Sequence, residues 1–126
     1  MAADERLRSR QRLKKRPEFR RVYDHGARTT GRAFTLFALP NNLEHGRLGV
    51  AATRKFGSAV ERNRAKRLVR EVFRRHGRLT AGLDVVVVPR REFHEATFTQ
   101  LEDEFRAAVA RLGRIHARAA KRADER

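Results

Sequence analysis

Apolar positions along the chain fall into blocks of two different periods, separated by Gly, Pro and Asn. Between Pro17 and Gly26, the residues Phe19, Val22 and Tyr23 recur at i, i+3 and i+4, which is one face of a helix. Pro17 suits a helix start and Gly26 a stop, so the pattern predicts a short helix over 17–25. The period then changes to two. In "AFTLFAL" (33–39), Phe34, Leu36 and Ala38 point one way while Thr35, Phe37 and Leu39 point the other, as in a strand. "PNNLEHG" (40–46) holds the residues of a connecting loop. "RLGVAAT" (47–53) alternates again, with Leu48, Val50 and Ala52 against Gly49, Ala51 and Thr53. The second set is too small to make a good core face and is a candidate floor for a ligand groove.

After "RKFG", Ser58 with Glu61 three residues later forms a capping-box pattern, in which each side chain satisfies an orphan backbone N–H. It predicts a helix to about His76, ended by Gly77. "GLDVVVV" (82–88) is almost continuously apolar, as expected for an interior strand. Thr97 with Gln100, or Thr99 with Glu102, can cap a last helix whose apolar positions are Leu101, Phe105, Ala108, Val109 and Leu112. The 126 residues suit one domain. The expected organisation is a basic flexible arm over 1–15, one domain over 16–113 and a basic tail over 114–126, either a frayed helix or disordered. The order α, β, β, α, β, α, with room for another short strand within 27–33, predicts an α+β protein, a two-layer α/β sandwich.

Charge adds what periodicity leaves out. Lys and Arg total 31 against 15 Asp and Glu, a net charge of +16. Such an excess favours a polyanion, nucleic acid before an acidic membrane surface. Arg far outnumbers Lys; its planar fork suits phosphates and bases, although a GC-rich genome writes the same bias. The absence of Cys excludes disulfides, thiolate metal sites and a cysteine nucleophile. Val85–Val88 is the longest strongly apolar run, far short of the roughly 18 residues of a membrane span. The first ten residues carry no apolar signal region, and the expected compartment is the cytoplasm.

The densest charge lies in "RNRAKRLVR" (62–70), with four Arg, one Lys and no acid. At about 100° per residue, Ala65, Leu68, Val69, Val72 and Phe73 share one broad apolar face. Asn63, Arg67, Arg70 and Arg74 align on the opposite side, Arg64, Glu71 and Arg75 flank them, Lys66 lies on the other flank, and Arg62 sits near the apolar boundary. A charged helix face is usually just solvated. Here the interleaving acids are missing: Glu71 pairs at best with Arg67 or Arg75, for about 0.2–0.5 kcal/mol. The face therefore calls for an external counter-charge. Phe19, Tyr23 and Phe37, with Thr35, Ala51, Thr53, Arg54 and Lys55, suit an extended single strand, bases stacking on rings and cations following the backbone. Equally, Phe19 and Tyr23 fit a core; sequence leaves open which face is wet.

The stretch "TRKFGSAVERNRAKRLVREVFR" (53–74) resembles the signature of the protein subunit of bacterial ribonuclease P. The matching positions are Arg54, Lys55, Gly57, Val60, Arg62, Asn63, Arg64, Lys66, Arg67 and Arg70. "RLKKRPEFRRVYDHG" is similar to that family's opening helix and "GLDVVVVPR" to its last strand, so the resemblance covers about 12–113. It implies an αβββαβα order with a left-handed βαβ crossover. It implies that Arg62, Asn63, Arg64, Lys66, Arg67, Arg70 and Arg74 bind the catalytic RNA. It also implies that Phe19, Tyr23, Phe37, Ala51, Thr53 and Lys55 line a groove for the 5′ leader of precursor tRNA. Two positions depart from the pattern: Ala51, where a hydroxyl is common, and Pro89, where a small non-proline residue is common.

The implied partners are ribonuclease P RNA and precursor tRNA, with no membrane and no obligate protein partner. The implied cofactor is Mg²⁺ held mainly by the RNA, which carries out a hydrolysis leaving a 5′-phosphate; this chain is expected to supply no catalytic residue and no metal ligand. The residues agree with that division. Metal-assisted cleavage needs clustered carboxylates or histidines, and the five His stand apart at 25, 45, 76, 94 and 116. Composition alone leaves two rivals, a non-catalytic ribosomal or ribosome-assembly protein and a DNA-binding nucleoid protein; the R-N-R block favours ribonuclease P.

Overall fold

The computed structural model describes residues 7–124, with side chains to residue 116. The elements are α1 (Arg16–His25), β1 (Ala27–Thr30), β2 (Phe34–Pro40), β3 (Arg47–Val50), α2 (Ala59–Arg75), β4 (Leu83–Pro89) and α3 (Phe98–Asp124), with short 3₁₀ turns at Ser9–Gln11 and Arg91–Glu95. The short strand admitted within 27–33 is β1, and the resulting order is αβββαβα. The sheet runs β1-β2-β4-β3, antiparallel except for the parallel β3–β4 pair. The valine-rich β4 is interior, as its continuous apolar run predicts.

Register assigns each face. Leu36 pairs with Val87, and Leu48 with Val85, so Phe34, Leu36, Ala38, Leu48, Val85 and Val87 share one side. On that side they meet Ala65, Val69, Val72 and Phe73 of α2 and Leu101, Phe105, Ala108, Val109 and Leu112 of α3, forming the main core. Thr35, Phe37, Val86, Val88, Gly49 and Ala51 face the other way. Among the described residues, that second face carries α1 and the segment just before it, around a small cluster of Leu13, Val22 and Val86.

The β3–α2–β4 connection is left-handed. The Ala51 N–H donates to the Val87 carbonyl at 2.9 Å. An L-residue facing the viewer on an upward strand directs its N–H to the right. Seen from the face of Ala51, β4 therefore lies to the right of β3 with α2 behind, opposite to the hand taken by about 98% of such crossovers.

Two sequence expectations change, and one left open is decided. The part of the predicted arm that the structure describes, from residue 7, packs on the domain. Leu7 and Leu13 are buried, and the Leu13 N–H donates to the Leu48 carbonyl at 2.8 Å. Two leucines in a basic run suffice to dock it; residues 1–6 lie outside the described residues. Of the two alternatives left for the tail, the structure shows helix: the last helix runs on through Gly113 to Asp124. Its start is the Thr97–Gln100 pair, with mutual backbone-to-side-chain bonds of 2.9 and 3.1 Å. The second long strand stops at Val50 rather than 53, and the turn that follows is closed by the Phe56 N–H donating to the Thr53 carbonyl.

Candidate nucleic-acid interface

α2 begins as the capping box predicts: Ser58 N–H donates to Glu61, and Glu61 N–H to the Ser58 hydroxyl. Its core face is the one the helical angles select, with Ala65, Val69, Val72 and Phe73 buried. Its outer line divides into three environments. Asn63, Arg64 and Arg67 are exposed, and among the described residues no acid lies within ion-pair distance of Arg64, Lys66, Arg67 or Arg70. Arg74 is engaged by Glu71 at 2.6 Å, and Arg75 shares that carboxylate at 3.1 Å while lying over the Phe98 ring. Glu71 thus meets Arg74 and Arg75, not the alternative Arg67. The paired Arg74 guanidinium holds the Glu71 carboxyl below its ordinary range. Val60, 78% exposed, continues the outer line at its N-terminal end.

Lys66 and Arg70 lean the other way, over a cleft of about 400 Å³ shared with Arg12, Lys14, Leu13, Phe19, Leu48 and Val50. Burial and the Arg12 charge lower the Arg70 pKa, and the buried Arg12 Nε has no hydrogen-bond partner. Four cations therefore converge without an acid in the lining. Sequence reasoning left Arg12 and Lys14 in the arm; the leucine between them is the signal that this segment docks.

Arg62 is half-buried, and its Nη1 donates to the Gly57 carbonyl at 2.8 Å, bracing the turn before the helix. That turn carries Arg54 and Lys55, both exposed. Phe56 anchors it, edge-on to Phe93 at 5.8 Å and stacked on His94 at 4.1 Å. His94 Nε2 bonds the Phe56 carbonyl at 2.7 Å, and its Nδ1 lies 3.6 Å from Glu61.

On the second sheet face, α1 crosses one end of the strands. Phe19 packs so tightly on Gly49 that a Cβ there would lie 2.5 Å from the ring, and Gly26 lies against the Ala38 carbonyl. Arg47 ties the helix down, reaching buried Asp84 at 2.6 Å and Glu18 at 3.4 Å. Tyr23 stands edge-on to Phe37 with centroids 4.9 Å apart, and 38% of its surface is exposed. Phe19 and Tyr23 are thus neither all core nor all groove: each packs with one side and borders the open face with the other. Beyond α1 the next row across the sheet is Thr30, Thr35, Val88 and Ala51, with Thr53 and Lys55 following Ala51. Of the sequence-predicted groove residues, Phe37 and Ala51 share this face, while Thr53 and Lys55 are exposed in the segment that follows Ala51. Thr30 and Val88 are additions that only the register supplies. Pro89 points to the opposite face, buried beside Phe34, and leaves the groove edge unaltered.

Among the described residues no three His, Cys, Asp or Glu gather where they could hold a metal ion, and no helix is long and apolar enough to cross a membrane. The fold and the acid-free helix face define a small, strongly basic α+β protein shaped to meet a folded polyanion. The family model for ribonuclease P matches residues 7–113. The chain belongs to that family, as a protein component of the bacterial type serving tRNA 5′-end processing. The ribonuclease P protein component of Caldanaerobacter subterraneus is 41% identical over 92 residues, 72% of this chain and 79% of that relative. The component from Thermotoga maritima is 40% identical over 87 residues, 68% of this chain and 74% of its own. The solved Thermotoga maritima protein superposes with a TM-score of 0.70 at 33% identity, over 82% of this chain and 96% of that one. The Staphylococcus aureus protein gives 0.69 at 30%, over 84% and 94%. Membership brings involvement in an endoribonuclease holoenzyme and partnership with ribonuclease P RNA.

Proposed function

We propose that this chain binds the catalytic RNA through α2 and the 5′ leader of precursor tRNA in the groove beside α1, promoting endonucleolytic leader removal in the cytoplasm. The RNA holds Mg²⁺ and performs the hydrolysis, leaving a 5′-phosphate on the tRNA. Three carboxylates are engaged within the fold: Asp84 accepts from Arg47 and Asn41, Glu71 from Arg74 and Arg75, and Glu104 from the Ala33 and Phe34 N–H groups. Arg62, Asn63, Arg64, Lys66, Arg67, Arg70 and Arg74 meet the RNA, with Arg12 and Lys14 joining Lys66 and Arg70 along the cleft.

One observation carries the leader assignment. The open row beyond α1 is bordered by Tyr23 and Phe37 and ends at Ala51, from which the chain runs through exposed Lys55 and the Phe56 turn into the basic helix α2. An extended strand lying there stacks on the rings while its phosphates follow the cations. Phe37→Ala is expected to weaken precursor tRNA binding by the reconstituted holoenzyme by about 1–3 kcal/mol and to leave mature tRNA binding unchanged. Equal losses for both ligands would refute the groove. Failure to stimulate any bacterial ribonuclease P RNA at low Mg²⁺ would favour the ribosomal reading.

A further inference from the structure

The polar part of the groove floor lies at its far side, in two threonines. Thr30 and Thr35 are cross-strand partners at the mouth of the β1–β2 hairpin, with hydroxyl oxygens 3.3 Å apart. Both face the α1 side of the sheet, one row beyond Phe37. Alternation is strict here, since Thr29 faces the main core and its hydroxyl accepts from Arg111. Thr30 is exposed and Thr35 half-buried, and α1 covers neither. The rest of their row is Val88 and Ala51, which offer no hydrogen bond.

One threonine hydroxyl donates to the other, whose own proton is then free to point outward. The pair thus presents one donor and unused lone pairs at a single spot. A sugar 2′-hydroxyl or a base edge offers the complementary donor and acceptor. At about 4.8 Å per strand, Thr30 sits about 14 Å from Ala51 across the sheet, far enough to serve a different nucleotide from the one near Lys55. Resting on the leader-groove reading, we propose that Thr30 and Thr35 form a hydroxyl subsite that hydrogen-bonds one leader nucleotide, beyond the aromatic pair. It places hydrogen bonding on the β1 side of the groove, where Ala51 on the β3 side supplies none.

Thr30→Val and Thr35→Val keep the branched shape and strand preference while deleting the hydroxyls. The holoenzyme carrying each is titrated with precursor tRNA and mature tRNA. Two precursor series are used, one with single 2′-deoxy leader nucleotides and one with single base changes. The expected result is a loss of about three- to tenfold in precursor affinity, with mature tRNA unaffected. The penalty that one leader position shows with the native protein should vanish in the variants, and the series in which it appears identifies sugar or base. Unchanged precursor affinity, or an equal loss for mature tRNA, overturns the subsite. Phe37→Ala separates the two levels. If it abolishes the precursor preference while the valine variants do not, only the subsite fails; if it leaves the preference intact, the groove fails and the subsite with it.

Discussion

Arg62 stands where the two faces of α2 meet, and its guanidinium is bonded to the Gly57 carbonyl. Arg67, five residues on, is exposed, and among the described residues no acid lies within ion-pair distance of it. The two should respond differently to alanine. Arg67→Ala is expected to lower the salt slope of RNA binding by about one unit, with stability unchanged within about 0.5 kcal/mol. Arg62→Ala is expected to cost about 0.5–1.5 kcal/mol of folding stability in urea titrations, with a smaller change in slope. At this scale helical angles are good evidence for what enters the core, because burial follows the 3.6-residue period; Ala65, Val69 and Phe73 obey it. They are poor evidence for what a cation faces. Arg70 leans toward Arg12, some 58 residues away in sequence, and Arg74 is drawn to Glu71. Periodicity admits the second of these, an i,i+3 neighbour, but carries no record of the first.

Elements show the same boundary between local and distant causes. The capping box at Ser58 and the strand alternation in 33–39 are written within a few residues and appear as predicted. The end of β3 is not, and the run of α3 through Gly113 was only one of two alternatives. Each depends on a balance between a weak local signal and the surrounding helix or turn, and a glycine costs a helix only about 1 kcal/mol. The Phe56 turn is the clearest case of a distant cause. His94, from the 3₁₀ turn after β4, stacks on Phe56 and bonds its carbonyl, so that Lys55 and the start of α2 are held as one unit. His94→Ala removes both contacts and is expected to destabilise the fold by about 1–2 kcal/mol in urea titration. His94→Gln retains a donor and should recover part of the loss. Equal stability for the native protein and His94→Ala would show that the turn holds itself.

For the whole molecule, the α+β class and the interior position of β4 were readable from composition and period, and the left-handed crossover was not. Strand periodicity is blind to handedness, which emerges only when an N–H direction and a covered face are both known. The split of the sheet into one fully covered face and one carrying a single short helix was also only half visible, as the small residues of β3. The N-terminal segment deserves a different description from that of an RNA contact. β3 is an outer strand, and Arg12 bridges to Leu48 in parallel while the Leu13 N–H takes the Leu48 carbonyl. An open strand edge is a template for pairing with another chain. The docked segment therefore covers part of that edge, at Leu48. A protein shortened to begin at Lys14 is expected to form concentration-dependent oligomers in sedimentation velocity where the full chain stays monomeric. Leu13→Pro, which lacks the bonding N–H, should drift the same way. What reads along the sequence as a loose, charged leader lies, on this edge, where the strand of a neighbouring molecule would otherwise pair.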